Sequence, residues 1–230
     1  MGVGPGDHIN PRALVRLPEP GYNALLTGLL AHLDPPPGSG NRSWIEAFSL
    51  FALLGQSILG GFCTRKLQLT LHRLTWKEVR HVVDAPIDEP TWIGVPKGQF
   101  VFPIYIAAPV RFALLLLIQT VMTQEPRRNG ALRPISPRQS LAPPRQPLAR
   151  RQQAYLNSCA REINLGYMPT LKDFRASGRW LMTRIYPLDV LHALLGLVPT
   201  TAPQVEQLHQ DGPLTLLQEL QHSTTREGSQ

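Results

Sequence analysis

Two cations three residues apart, Lys172 and Arg175, stand in the stretch Thr170-Leu171-Lys172-Asp173-Phe174-Arg175. That spacing at a helix start puts both on one side of a turn, where they can reach one anion. A phosphate is the anion most often shared by an ammonium and a guanidinium. A cation at a helix N-terminus opposes the macrodipole, which favours an anion partner over two plain surface charges. Lys97, in Pro96-Lys97-Gly98, is a third candidate, although a lysine in a turn is ordinarily just solvated.

A larger concentration of charge lies upstream. Arg127, Arg128, Arg133, Arg138, Arg145, Arg150 and Arg151 fall between Pro126 and Gln152 with no acid among them. The formal net charge is +7 and the pI near 9.9, so these seven arginines account for the whole excess. A basic segment of this kind suits a polyanion, most often nucleic acid. The alternative is a solvated loop whose arginines serve solubility.

Other chemistries find no support. The seven histidines show no metal-ligand spacing with Cys or carboxylates. Cys63 and Cys159 have no redox or metal spacing and read as small thiols in a reducing cytosol. There is no Gly-x-Ser-x-Gly elbow, Walker loop or dinucleotide fingerprint, and no cofactor is implied.

The elements that must position these residues are mostly helical. Residues 1–20 are rich in Gly and Pro and read as a loose arm. Gly21 to Leu33 has apolar positions at helical spacing, and Pro35-Pro36-Pro37 ends it. Ser43 and Glu46 form a capping-box pattern ahead of a helix from Trp44 to about Leu59, apolar nearly all round and broken by Gly60-Gly61. A further helix is expected over Thr64 to Leu74, closed by Leu74-Thr75-Trp76-Lys77-Glu78-Val79. From Trp92 the period changes to two, giving Trp92–Val95 and Gln99–Ile104 as strands with Lys97 in the turn between them. Pro109 opens an apolar helix, Val110 to Met122.

The segment 126–149, with six prolines, cannot be helix or central strand and is long for a loop. Arg150 to Gly166 is amphipathic, with Gly166 as its expected C-cap. Helices over Ala176–Arg184 and Leu188–Leu197 follow, then a polar tail. The two longest apolar stretches do not make membrane spans. Trp44–Phe62 carries Glu46 and Gln56, and the uninterrupted run Phe112–Ile118 falls well short of the roughly 20 residues needed. With no signal-peptide pattern at the N-terminus, a soluble cytoplasmic protein is expected.

In order, these pieces resemble the catalytic domain of the tyrosine recombinases, or phage-type integrases, over roughly residues 42–210. Leu71-His72-Arg73-Leu74-Thr75-Trp76-Lys77-Glu78-Val79 resembles the family's Leu-x-x-Leu-x-Trp-x-Asp-Val text. Lys97-Gly98 with Phe100-Val101-Phe102-Pro103-Ile104 resembles its lysine-bearing hairpin. Leu171-Lys172-Asp173-Phe174-Arg175 resembles the His/Lys-x-x-Arg box, and Leu194-Leu195-Gly196 with Thr200-Thr201 its Leu-Leu-Gly-His…Thr-Thr end.

The resemblance implies a mainly α fold with a small antiparallel β-hairpin. An arm and short helix would occupy 1–41, the recombinase-like domain 42–210, and a polar tail 211–230. It also implies roles: Lys172 and Arg175 on a DNA phosphate, Lys97 as a general acid for the leaving oxygen, and a tyrosine nucleophile. Several family positions are not filled. Counting back from Trp76, the first arginine would fall at Leu67 and the following glutamate at Thr70. Leu197 stands where a His or Trp is expected, and Val205 and Glu206 stand near the tyrosine's place. No tyrosine occurs after Tyr186.

The reading is therefore a DNA-binding, recombinase-like protein of a mobile element with lost or reduced strand transfer. Its partners would be DNA and another recombinase subunit or a second copy, with no membrane. Two alternatives stand beside it: a helical protein-interaction scaffold, and an active recombinase using an unconventional nucleophile such as Tyr186.

Overall fold

A computed structural model describes residues 17–34, 42–62, 71, 73–83, 91–97, 100–124, 136–143, 148–186, 188 and 191. Its elements are α1 (Glu19–Ala31), α2 (Trp44–Gly55), α3 (Trp76–Val83), β1 (Thr91–Lys97), β2 (Phe100–Ile106), α4 (Ala108–Gln124), α5 (Leu148–Glu162) and α6 (Leu171–Ile185). The fold is mainly α. Its two strands pair antiparallel from Thr91↔Ile106 to Lys97↔Phe100.

The helix α2 is the centre of the molecule because almost every position on it is apolar. Ala47 through Gly55 are all buried, and α1, α4 and α5 pack around them. Burying a side chain such as Phe48, Phe51, Leu53 or Leu54 contributes about 1.5–3 kcal/mol each, which fixes this helix as the frame for its neighbours. Its start follows the capping-box pattern. The Ser43 hydroxyl accepts from Glu46 N at 3.3 Å, and the Glu46 carboxylate accepts from Ser43 N at 3.0 Å. Its end comes earlier than the glycine pair suggests, at Gly55, with Gln56 as C-cap.

The helix expected at the edge of an N-terminal arm belongs to this core. Tyr22, Leu25, Leu26 and Leu29 of α1 are buried, and the Tyr22 ring stacks on Phe174 of α6 at 5.2 Å. Tyr22 Oη also accepts from Ile58 N at 3.1 Å, joining α1 to the turn after α2.

Local differences from the sequence reading have simple causes. Trp76 does not close a preceding helix but begins α3, whose start is held by Thr75 and Glu78. Thr75 N donates to the Glu78 carboxylate at 2.8 Å, and the Thr75 hydroxyl donates to the same oxygen. Lys97 is the last residue of β1 and not a turn residue. Pro96 and Pro103 are tolerated in the strands because a two-stranded sheet leaves each strand one unpaired side. The C-terminal stop of α5 is Asn164, whose φ of 52° is the left-handed value, so Gly166 is not the cap.

Part of the Arg/Pro segment is built into the fold. Trp76 N and Lys77 N donate to Gln139 O and Pro137 O, Leu141 N donates to Leu74 O, and Trp44 Nε1 donates to Leu141 O at 2.7 Å. Leu141 and Ala142 are buried. Residues 136–143 thus seal the start of α3 against α2, and Arg138 is left exposed on their outer side. In the described residues no helix is long and apolar enough to cross a membrane.

Candidate anion-binding site

The Lys-x-x-Arg box lies inside α6 and not ahead of it. Thr170 is the N-cap, so Lys172 and Arg175 occupy the first two turns. The cap is complete. Thr170 Oγ1 accepts from Asp173 N at 3.1 Å, Thr170 N donates to Asp173 Oδ2 at 3.3 Å, and Leu171 N donates to Gln153 Oε1 at 2.9 Å. Gln153 also donates to Pro169 O at 2.8 Å, so α5 holds the entry of α6 from the side.

This cap changes one expectation. The charge that complements the α6 dipole is Asp173 in the first turn, and the amides of Leu171 and Asp173 already have side-chain acceptors.

The two cations have different surroundings. Lys172 is exposed. Arg175 is half-buried and turned towards the end of α2, where its Nη1 donates to Gln56 Oε1 at 3.4 Å. Gln56 is fully buried, and its Nε2 has no hydrogen-bond partner among the described residues. Burial lowers the Arg175 guanidinium from its ordinary value, although an arginine remains charged at any physiological pH. No described carboxylate lies in salt-bridge contact with it. A half-buried cation whose acceptor is a neutral amide is only partly compensated for its lost hydration.

The basic segment reaches the same region in part. Arg150 and Arg151 are exposed in the first turn of α5, three and two residues from Gln153 respectively. Gln152, between them and Gln153, is fully buried with neither side-chain amide atom partnered among the described residues. Lys97 ends β1, and its side chain lies outside the described set. Also outside it are Arg127, Arg128, Arg133 and Arg145, the expected family positions Leu67, Thr70, Leu197, Val205 and Glu206, and the Leu-Leu-Gly and Thr-Thr stretches.

Tyr186, the alternative nucleophile, is the C-cap of α6. It is buried, and burial raises its phenol, so the hydroxyl is neither presented nor activated.

One further cluster was not visible in the sequence. His32, the C-cap of α1, meets one face of α5: Nδ1 lies 2.8 Å from Tyr155 Oη and 3.7 Å from Cys159 Sγ, and Nε2 lies 2.7 Å from Glu162 Oε2. The order Cys–His–carboxylate suggests a nucleophile, but the environment opposes it. Cys159 is buried, and desolvation followed by the Glu162 charge pushes its thiol up to about 12. Desolvation also raises the Tyr155 phenol, with Cys159 adding to it. The cluster is a polar clasp between α1 and α5. The signal that could have revealed it is the spacing of Tyr155, Cys159 and Glu162, four and three apart on one helical face. Its partner His32 is over a hundred residues away. Among the described residues no group of His, Cys, Asp and Glu could hold a metal ion.

No protein-family model, curated protein or solved structure matches the chain.

Proposed function

We propose that this chain is a non-catalytic helical binding module that contacts the phosphate backbone of DNA, with Arg175 at the centre of the contact. The observation that carries the reading is the state of Arg175: half-buried, held by the neutral Gln56, and without a carboxylate partner among the described residues. Exposed Lys172, Arg150 and Arg151 lie on the first turns of α5 and α6 and add positive charge there. The recombinase-like order of motifs agrees with a phosphate at this place. The residue met by Arg175 at the end of α2 is an amide and not a second guanidinium, which fits binding better than strand transfer.

A second reading, a helical scaffold for another protein, has its own support. Tyr167, Met168, Ile185 and Leu188 are large apolar residues left exposed, and Leu188 is 67% exposed. They fall in two groups, Tyr167 and Met168 ahead of α6 and Ile185 and Leu188 at its other end, and each offers a partner protein a small apolar contact.

Charge reversal separates the two. Lys172→Glu with Arg175→Glu is expected to weaken duplex binding by at least about a hundredfold, since each lost phosphate contact costs on the order of a tenfold factor or more. Unchanged duplex binding by that variant would remove the DNA reading and leave the scaffold.

A further inference from the structure

We propose that Gln56 is a positioning residue of the Arg175 site, orienting the guanidinium with a neutral acceptor so that its whole charge remains available to a singly charged phosphodiester. The inference rests on the phosphate-binding reading above.

Gln56 is an unusual residue for its place. It caps α2, and its backbone N donates to Ala52 O and Leu53 O at 3.1 Å, so its Cα is fixed by the central helix. The side chain is fully buried, one end meets Arg175, and Nε2 has no partner among the described residues. A buried amide with one end unmatched is destabilising, and a methionine would fill similar volume without that cost. Packing alone does not explain a glutamine here.

The difference between Gln and Glu does explain it. A glutamate would form a charge-assisted pair with Arg175 and neutralise it. The amide oxygen directs one N–H and leaves the other donors and the charge unspent. The neighbouring sequence keeps to the same rule, with no acid anywhere between Glu46 and Glu78, or between Glu162 and Asp173. Asp173 itself is engaged with Thr170 in the α6 cap. A single guanidinium so held matches the one negative charge of an internal phosphodiester.

The test uses the full chain with Gln56→Glu, Gln56→Met and Arg175→Gln, measuring anisotropy of a fluorescein-labelled duplex across a salt series, with a thermal melt of each variant. Gln56→Glu is expected to melt at or above the wild-type temperature, to lose about tenfold in affinity, and to flatten the log–log salt slope by about 1, as if one phosphate contact were gone. Gln56→Met is expected to keep the slope while losing affinity, because the charge is present but no longer directed. A glutamine that merely fills space predicts wild-type affinity and salt slope in both variants, with Gln56→Met melting no lower than wild type. Wild-type affinity and slope in either Gln56 variant, while Arg175→Gln loses binding, overturns the role of Gln56 alone. Wild-type binding by Arg175→Gln overturns the phosphate reading of Arg175, and the role of Gln56 with it.

Discussion

Gly178 brings α6 so close to α1 that a Cβ at this position would stand 2.6 Å from the Tyr22 hydroxyl. That hydroxyl accepts from Ile58 N, and Ser177 next door accepts from Leu17 N at 2.9 Å, so this contact ties α6 to α1 and to the turn after α2. Arg175 lies one turn away on the same helix and depends on that seating. Gly178→Ala is expected to cost about 1–3 kcal/mol through overpacking, despite alanine's better helix propensity. Urea unfolding measures it, and a stability equal to or above wild type would show that the two helices are not seated this closely.

The exposed arginines should act on binding and hardly on folding. Arg138, Arg150 and Arg151 are exposed, and none has a salt-bridge partner among the described residues. Replacing all three by glutamine is expected to lower the salt slope of duplex binding by up to about 3 and to change stability by less than about 0.5 kcal/mol per site. An unchanged slope would place the DNA contact elsewhere.

Alkaline pH should weaken the clasp between α1 and α5. Cys159 and Tyr155 are neutral acids whose values burial raises in the folded state, Cys159 from 9.0 to about 12. The folded protein therefore keeps protons that the unfolded chain releases. The Cys159 contribution is complete below about pH 9 and is lost as the pH rises from there through about 12, while that of Tyr155 is lost only above about pH 10. The free energy of unfolding should fall over that window, and Cys159→Ala should make the fall shallower. An identical pH profile for that variant would contradict the burial of a protonated thiol.

The sequence carries some of these features plainly and hides others. The nearly all-apolar stretch Ala47–Gly55, with the Ser43 and Glu46 cap ahead of it, marks α2, because both the burial and the cap are local properties. The hairpin is marked by the change to a two-residue period, although Lys97 moved from the turn to the end of β1 because pairing runs two residues further than the apolar pattern. The stop of α5 at Asn164 was masked by the nearby Gly166, which is the commoner left-handed residue. The docking of 136–143 on α3 depends on backbone hydrogen bonds, and these have no composition signature. Lys172 and Arg175 were legible as a pair, but their separation into an exposed cation and a half-buried one depends on Gln56, 119 positions away. Nothing in the residue types announces that contact.

The measurement that bears most directly on the central claim is duplex binding by the unaltered protein across a salt series, read by fluorescence anisotropy. A phosphate-contacting module gives an affinity that falls steeply with salt, with a log–log slope corresponding to about three or more released counterions. Absence of binding even at low salt, with a folded protein by circular dichroism, would contradict the account and leave the scaffold reading in its place.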